Sequence, residues 1–263
     1  MKKLTKKMVE DQYKDPANLE ARAYLNRTFG VKKNKLGWYK WLFKHISFPK
    51  KAKVLELGCG LGNIWTSNKE DIPEDAEIIV SDFSEQMLKK TRENLKEVKR
   101  DFNFELVDVE KLPYETETID IVIANHLLYL VPNINKAIGE ISRVLKKGGV
   151  LVASTNSSRY MKELEDLLRE SKLPVHLEYT KCPFSLENSK DFLSEIFSKI
   201  NTFESEGLLR VTEAEPLANY VLSTNTGLGK AQKEDVYNFF KDYFKKNNQL
   251  EIRKISGVVI AEK

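Results

Sequence analysis

The sequence predicts an α/β protein built on a doubly wound, mostly parallel sheet. Between residues 53 and 155, short apolar runs alternate with segments whose apolar residues recur at helical spacing. This alternation is typical of βαβ units, whose right-handed crossovers place helices on both faces of a sheet. Glycines follow the first apolar run, at the position where parallel strands commonly turn into a ligand-binding loop.

The apolar runs predict five strands, and two apolar stripes predict helices between them. The strands are Val54–Leu57, Glu77–Ser81, Phe102–Val107, Ile119–Ala124 and Val150–Ser154. The first stripe comprises Met87, Leu88, Thr91, Leu95 and Val98. The second comprises Ile134, Ala137, Ile138, Ile141, Val144 and Leu145, and the glycines of "KKGGV" are expected just beyond the end of its helix.

Residues 1–50 are predicted to form a helical amino-terminal arm, and residues 51–263 the main domain. The regular alternation stops after a helix near 159–171, which predicts an insertion at about 172–227. An amphipathic helix is expected near 236–244. Extended patterns at 198–212 and 250–263 are expected to join the sheet as an antiparallel pair.

Composition excludes several classes of protein. The 263 residues carry 43 Lys and Arg against 39 Asp and Glu, so the net charge of +4 does not indicate a protein that coats nucleic acid. Two cysteines and three histidines form neither a disulfide framework nor a recognisable metal-ligand spacing. No apolar run approaches the length of a membrane span, and no signal peptide is evident. We therefore expect a cytoplasmic protein without a metal.

The stretch "VLELGCGLGN" predicts a loop that approaches a nucleotide. Gly58, Gly60 and Gly62 allow tight turns and close backbone contact with a ligand, and the following helix would present free N–H groups. The dinucleotide fingerprint requires Gly or Ala where Asn63 stands, which disfavours NAD. Glu56, inside the strand, adds negative charge that favours a cationic cofactor, although it could equally be a paired structural carboxylate.

Acidic residues also follow the next two predicted strands. Asp82 could accept hydrogen bonds from both hydroxyls of a ribose, and Asp108, followed by Val109, could contact the edge and plane of an adenine. Each has a simpler structural interpretation. Asp82 could cap the helix that begins near Ser84, and Asp108 could be a turn residue. Their joint occurrence beside a glycine loop favours the nucleotide interpretation.

With these motifs in place, residues 50–155 resemble a class I S-adenosylmethionine-dependent methyltransferase. The resemblance rests on "VLELGCGLGN", "IIVSDFSEQML" and "FELVDVEKLPYETETIDIVIANHLLYLVPNINKAIGEISRVLKKGGVLVAST", and it is strongest to small-molecule enzymes related to the menaquinone and ubiquinone methyltransferases. It implies a Rossmann-like sheet of seven strands whose last strand is antiparallel. It also implies S-adenosylmethionine as co-substrate and a small-molecule acceptor.

The resemblance assigns cofactor-binding residues by their place in the family's motifs. The acidic glycine motif, the ribose-binding and adenine-binding positions, and the methionine-binding backbone after the fourth strand together comprise Glu56, Gly58, Gly60, Gly62, Asp82, Phe83, Met87, Asp108, Val109 and Asn125.

His126 is the candidate general base, because it follows the fourth strand, where the family places residues that face the substrate. It could instead cap or pack at the start of the next helix. Leu130 stands where many relatives have a histidine. In-line transfer of an activated methyl group depends mainly on alignment, so a base is needed only if the acceptor loses a proton.

The acceptor is expected to lie between the amino-terminal arm and the insertion. Trp38, Tyr39 and Trp41 could close the cofactor pocket or belong to the core. The insertion offers aromatic residues for a cavity, or for anchoring to the sheet: Tyr179, Phe184, Phe192, Phe197 and Phe203. Two alternative functions stay open, an RNA methyltransferase and a non-catalytic S-adenosylmethionine-binding regulator. The sequence makes no prediction of the oligomeric state.

Overall fold

A computed structural model describes residues 16–31, 36–175, 177, 182–225 and 227–263. The chain folds into two compact units that interleave along the sequence. We call the first the sheet unit, which comprises 36–155, 183–204 and 257–263. The second, the helical unit, comprises the described parts of 1–35, 156–182 and 205–256. The predicted division into residues 1–50 and 51–263, with an insertion at 172–227, stays a prediction.

The described helices and strands are as follows. The helices are α1 (Pro16–Phe29), α2 (Trp38–Phe43), α3 (Asn63–Ser67), α4 (Glu85–Asn94), α5 (Ile134–Val144), α6 (Lys162–Ser171), α7 (Ser189–Leu193), α8 (Ala214–Thr224) and α9 (Lys230–Lys246). The strands are β1 (Gly30–Val31), β2 (Lys53–Leu57), β3 (Glu77–Asp82), β4 (Asn103–Leu106), β5 (Ile119–Asn125), β6 (Leu145–Asn156), β7 (Lys199–Val211) and β8 (Leu250–Glu262).

The strands form one mixed sheet in the order β1-β7-β8-β6-β5-β2-β3-β4. The pairs β2–β3, β2–β5, β3–β4 and β5–β6 are parallel. The strand order reverses at β2: β3 and β4 follow on one side of it, and β5 lies on its other side. The doubly wound α/β fold is confirmed, and the reversal places the end of β2 at the usual ligand-binding point of such sheets.

Within the described residues the sheet has eight strands, one more than the expected seven. The additional strand is β1, whose two residues pair antiparallel with Leu208 and Leu209 of β7. So short a strand has no periodic pattern of its own, because period-2 alternation needs about four residues to be recognised. Only the tertiary pairing makes these two residues a strand.

The two carboxyl-terminal strands run antiparallel to their neighbours, as expected. Backbone N–H groups of Gly148 and Ser157 donate to the carbonyls of Lys263 and Ile255, so residue numbers fall along β8 as they rise along β6. The glycines of "KKGGV" lie beyond the end of α5, as expected, and they belong to β6, because Lys263 exchanges backbone hydrogen bonds with Gly148 and Gly149.

Each face of the sheet unit carries its own apolar core. Leu55, Leu57 and Ile79 point into one cluster, which includes the buried face of α5. Their strand neighbours Val54 and Ile78 point into the other, which includes residues of α2, α3 and α4. Successive residues of a strand face opposite sides. Buried strands with helices on both sides therefore read as continuous apolar runs in the sequence.

The helical unit has a separate core, to which α1, α6, α8 and α9 contribute. Arg22 of α1 is buried there, and its guanidinium donates to both the hydroxyl and the carbonyl of Ser223 in α8. A buried charge needs such partners to offset its lost hydration. Among the helices of the described residues, none is long and apolar enough to cross a membrane.

We predict that truncating a leucine in the core costs far more stability than the same change at the sheet edge. Leu55 of β2 is fully buried, whereas Leu106 of the edge strand β4 is 61% exposed. Leu55→Ala should lower the free energy of unfolding by about 2–5 kcal/mol, and Leu106→Ala by less than about 0.5 kcal/mol. Urea denaturation followed by circular dichroism measures both, and equal losses would contradict the assigned edge.

Candidate functional site

The loop after β2 has the backbone geometry that its glycines predict. Gly58, Gly60 and Gly62 have φ values of 69°, 56° and 71°, in the left-handed region. A Cβ added at Gly58 would lie 2.9 Å from the Leu127 side chain, and one at Gly62 would lie 2.9 Å from Thr91. A Cβ added at Gly60 would meet no atom within 4 Å. The first and last glycines therefore allow close packing, while Gly60 faces open space.

Both backbone polar groups of Gly60 are held by neighbouring elements. Its N–H donates to Oδ2 of Asp82 at 3.1 Å. Its carbonyl accepts from the hydroxyl of Thr91 at 2.6 Å. Asp82 ends β3 and Thr91 lies in α4, so the position of the glycine loop depends on the next βα unit of the sheet.

Asp82 does not cap the following helix. Ser84 is the N-cap of α4, and its hydroxyl accepts from the Met87 N–H at 3.4 Å. Asp82 instead accepts from Gly60 N–H through one oxygen and from Ser84 N–H through the other, at 3.0 Å. Burial raises the pKa of Asp82, and these backbone donors partly oppose the shift. The carboxylate thus ties two loops together at the ends of neighbouring strands.

Glu56 is a buried and paired carboxyl group in this structure. Its Oε2 accepts from the indole Nε1–H of Trp65 at 2.6 Å. Burial raises its pKa from 4.5 to about 8, the Trp65 hydrogen bond opposes that shift, and the charge of Asp82 adds to it. The structural interpretation that the sequence left open therefore describes this side chain. Above that pKa, the ionised carboxylate of Glu56 adds negative charge beside the glycine loop.

The residues expected around an adenosine lie at the ends of β3 and β4. Phe83 directly follows β3 and is 37% exposed. Asp108 forms an isolated bridge with Lys111 and accepts from the Glu110 N–H at 3.0 Å, so it also serves as a turn residue. Val109 packs at the edge of the sheet unit's core. The structure brings these residues to the same edge of the sheet as the glycine loop, since parallel strands end together.

The end of β5 is held by a hydroxyl group from β6. The fully buried Ser154 donates to Oδ1 of Asn125 at 2.7 Å and accepts from the backbone N–H of His126 at 2.9 Å. Asn125 Oδ1 also accepts from the indole N–H of Trp38 at 3.2 Å. His126 has φ of 54°, an uncommon conformation for a residue with a side chain. Such backbone outliers concentrate at functional sites.

His126 belongs to a continuous line of rings in the sheet unit, which we call the aromatic row. Neighbouring ring centroids lie 6.1, 5.0, 5.4, 4.6 and 4.4 Å apart along Tyr129, His126, Trp38, Trp41, His45 and Phe203. Phe203 is 40% exposed. The row joins the strand end that carries Asn125 to α2 and β7, so the amino-terminal segment does contribute aromatic residues beside the candidate site.

The other aromatic residues expected to line a cavity mostly belong to the core. Phe184 and Phe197 are buried, and Phe192 packs against the same cluster. These three residues anchor their segment to the core of the sheet unit, and their part in lining an acceptor cavity stays a prediction. Tyr179 lies outside the described residues.

Three supporting residues were not identified as site residues from the sequence. Thr91 appeared only as part of an apolar helix stripe, Ser154 as the end of a strand, and Trp65 in no pattern at all. Each acts through a partner at least 9 residues away. For Thr91 the sequence does offer a signal, because its hydroxyl group interrupts an otherwise apolar helix stripe.

Comparison with known proteins identifies the family. A family described as "Methyltransferase domain" matches residues 49–242, which is well over half of the chain. The chain belongs to this methyltransferase-domain family. The match spans the glycine loop, the strand-end acids and the end of β5.

Two curated relatives are similar to parts of the chain. A malonyl-[acyl-carrier protein] O-methyltransferase from Methylovorus sp. (strain MP688) is 33% identical over 127 residues, which cover 46% of this chain and 43% of the relative. A demethylmenaquinone methyltransferase from Staphylococcus saprophyticus is 29% identical over 157 residues, which cover 59% of this chain and 65% of the relative. The chain thus spans less than two thirds of the length of these relatives.

A solved structure shows the same fold at low sequence identity. The YcgJ protein from Bacillus subtilis aligns over 86% of this chain and 97% of its own, with a TM-score of 0.60 and 15% identity. At that identity the likeness concerns the fold alone. It supports the Rossmann-like α/β assignment for the methyltransferase-domain chain.

The residues of the glycine loop fit the S-adenosylmethionine that the family implies. Gly60 faces open space on the side where a Cβ would stand, so a ligand can approach its backbone closely. Beside the loop lies the carboxyl group of Asp82, a hydrogen-bond acceptor that suits the ribose diol of such a ligand. Within the described residues no group of three or more His, Cys, Asp and Glu could hold a metal ion.

Glu56 should make stability depend on pH in a defined direction. Between pH 4.5 and about 8 the folded state binds a proton at Glu56 that the unfolded state lacks, so stability should fall as pH rises through this window. Glu56→Gln keeps an acceptor for Trp65 but cannot ionise. The stability of the variant relative to wild type should therefore increase from pH 5 to pH 8 in urea denaturation. A constant difference would place the pKa of Glu56 near its ordinary value.

Gly60→Ala should separate cofactor binding from backbone strain. The variant forces alanine into a left-handed conformation, at a cost of about 1–2 kcal/mol, and places its methyl group in the open space beside the loop. We expect at least about tenfold weaker binding of S-adenosylmethionine by calorimetry.

Gly148→Ala is the matched control, because Gly148 also has positive φ, 74°, and also faces open space. It should lose similar stability and keep its affinity. Equal affinity losses in both variants would show that strain, not contact with the cofactor, is the cause.

Proposed function

We propose that this chain transfers a methyl group from S-adenosylmethionine to a small-molecule acceptor. The observation that carries the proposal is Gly60, held at both backbone polar groups with an open face, at the sheet position where this family's motifs lie. The bound cofactor would supply an activated methyl group, so the protein's main task is alignment of the acceptor. No step of this proposal requires a metal ion.

The proposed cofactor-binding set is the one that the motifs predict. The glycine loop supplies close backbone contact, the strand-end acids Asp82 and Asp108 face the adenosine, and the end of β5 holds the methionine group. The full set is Glu56, Gly58, Gly60, Gly62, Asp82, Phe83, Met87, Asp108, Val109 and Asn125. Glu56 is included for its place in the motif; its Oε2 accepts from Trp65, and burial raises its pKa to about 8, so the carboxyl group is largely protonated at neutral pH.

On the acceptor side, the aromatic row favours a flat, apolar molecule. Aromatic rings associate with other flat rings in offset or edge-to-face arrangements. The names of the two relatives point to different acceptors, a demethylmenaquinone and a malonyl-[acyl-carrier protein]. A row of six rings that begins at Tyr129 and includes His126 supports the first class of acceptor more than the second.

His126 is the proposed general base for an acceptor that must lose a proton. Its ring lies 5.0 Å from that of Trp38, centroid to centroid, and Ser154 holds its backbone in the left-handed conformation. These contacts position the imidazole at the end of β5, beside the proposed methionine-binding group. A base in such a place contributes about 10²–10⁴-fold to the rate.

Two other functions lead to different experimental results. An RNA methyltransferase would label RNA in preference to small molecules, and a regulatory protein would bind the cofactor without turnover. The net charge of +4 gives no specific support to RNA. The cytoplasm remains the expected compartment, since two cysteines cannot form a disulfide framework.

The decisive experiment uses S-adenosylmethionine with an isotopically labelled methyl group. The purified chain is incubated separately with reduced aromatic quinone analogues, malonyl thioesters, total RNA and a metabolite extract. Labelling of a flat aromatic compound is the expected result. Preferential labelling of RNA would overturn the proposal, and cofactor binding without any labelling would favour the regulatory function.

Trp38→Phe should impair acceptor turnover through a single lost hydrogen bond. Phenylalanine keeps an aromatic ring in the row but cannot donate to Asn125. We expect kcat/KM for the acceptor to fall about 2- to 10-fold, equivalent to 0.5–1.5 kcal/mol. Trp41→Phe changes the next ring of the row without touching Asn125, and should have the smaller effect. The reverse order would show that the Trp38–Asn125 bond does not position the site.

A further inference from the structure

We infer that Thr91 is a positioning residue that holds the cofactor loop in its binding conformation. The inference rests on the proposed function, since it concerns the same glycine loop. Thr91 lies in α4 and its side chain is fully buried. No motif of the cofactor site includes this position.

The hydroxyl of Thr91 completes the support of Gly60. It donates to the Gly60 carbonyl at 2.6 Å, while Asp82 accepts from the Gly60 N–H at 3.1 Å. These two bonds fix a residue at φ of 56°, in a loop whose glycines otherwise allow many conformations. Because α4 and the end of β3 supply the two partners, both sides of the Gly60 backbone are held by rigid elements.

The methyl group of Thr91 has a second task. A Cβ added at Gly62 would lie 2.9 Å from Thr91 Cγ2, so the methyl group fills the space against Gly62. The sulfur of Cys59 lies 3.4 Å from the Thr91 hydroxyl. The Thr91 side chain therefore lies against Cys59, Gly60 and Gly62 of the loop. Threonine combines a hydroxyl and a methyl group, whereas serine and valine each supply only one of them.

The consequence for binding follows from preorganisation. A loop held in its binding conformation before the ligand arrives loses less conformational entropy on binding. Removal of the Thr91 hydroxyl would leave Gly60 held from one side only, and the ordering of the loop would then oppose binding. A purely structural role of Thr91 in α4 would instead change stability and leave affinity unchanged.

The test compares Thr91→Val, which keeps the methyl group, with Thr91→Ser, which keeps the hydroxyl. Calorimetry with S-adenosylmethionine and with S-adenosylhomocysteine gives the affinities. Thr91→Val should weaken both ligands about 3- to 10-fold, the effect of one hydrogen bond. Thr91→Ser should stay within about twofold of wild type. In the ligand-free protein, hydrogen exchange at the Gly60 amide should be faster in Thr91→Val than in Thr91→Ser.

A matched control is Thr224→Val in the helical unit. Thr224 is also buried in a helix, and its hydroxyl donates to the Val221 carbonyl at 2.9 Å. It should lose comparable stability in urea denaturation and keep wild-type affinity. Should Thr91→Val not fold, Thr91→Ala removes the same hydroxyl without the branched side chain.

Two results would overturn the inference, and one result would overturn the proposed function instead. Equal affinities of Thr91→Val and wild type, or equal losses in the valine and serine variants, would show that the hydroxyl does not position the loop. Failure of wild type itself to bind either ligand would refute the proposed cofactor site. The two failures are therefore distinguishable in one titration series.

Discussion

The candidate site depends on the carboxyl group of Asp82 and its two backbone hydrogen bonds. One oxygen holds the loop that follows β2, through Gly60, and the other holds the turn that leads into α4, through Ser84. The parallel pairing of β2 and β3 makes this possible, because both strands end at the same edge of the sheet. A buried carboxylate is costly unless it is paired, and here backbone donors from both loops reduce the cost.

A second hydrogen-bonding centre lies at Ser154 in β6, the strand that pairs with β5. Its hydroxyl holds both the side chain of Asn125 and the backbone of His126. Through Asn125 it also reaches Trp38 and thus the aromatic row. The glycine loop and the strand end proposed to face the acceptor are therefore each held by one buried hydroxyl residue, Thr91 in α4 and Ser154 in β6. Sites with such support hold their geometry more closely than sites on loops alone.

The proposed cofactor and acceptor regions draw on different parts of the chain. The glycine loop and the strand-end acids lie between β2 and β5, inside a family match that extends to residue 242. The aromatic row draws on α2 and β7, which lie on either side of that region in the chain. In the proposed arrangement, changes in α2 and β7 would alter the acceptor while the proposed cofactor site stays constant, as is usual where function is carried by elements added to a common fold.

The sequence by itself determined the α/β class, the glycine loop and the acids at the strand ends. These features are local, because a strand's apolar run and the residues that follow it are contiguous in the chain. Tertiary structure alone decided the eighth strand, the pairing of Glu56 with Trp65, and the choice between capping and loop support for Asp82. It also brought Trp38 to Asn125 across 87 residues and Thr91 to Gly60 across 31. Such contacts depend on how strands and helices pack, and no local pattern records a hydrogen bond between residues so far apart.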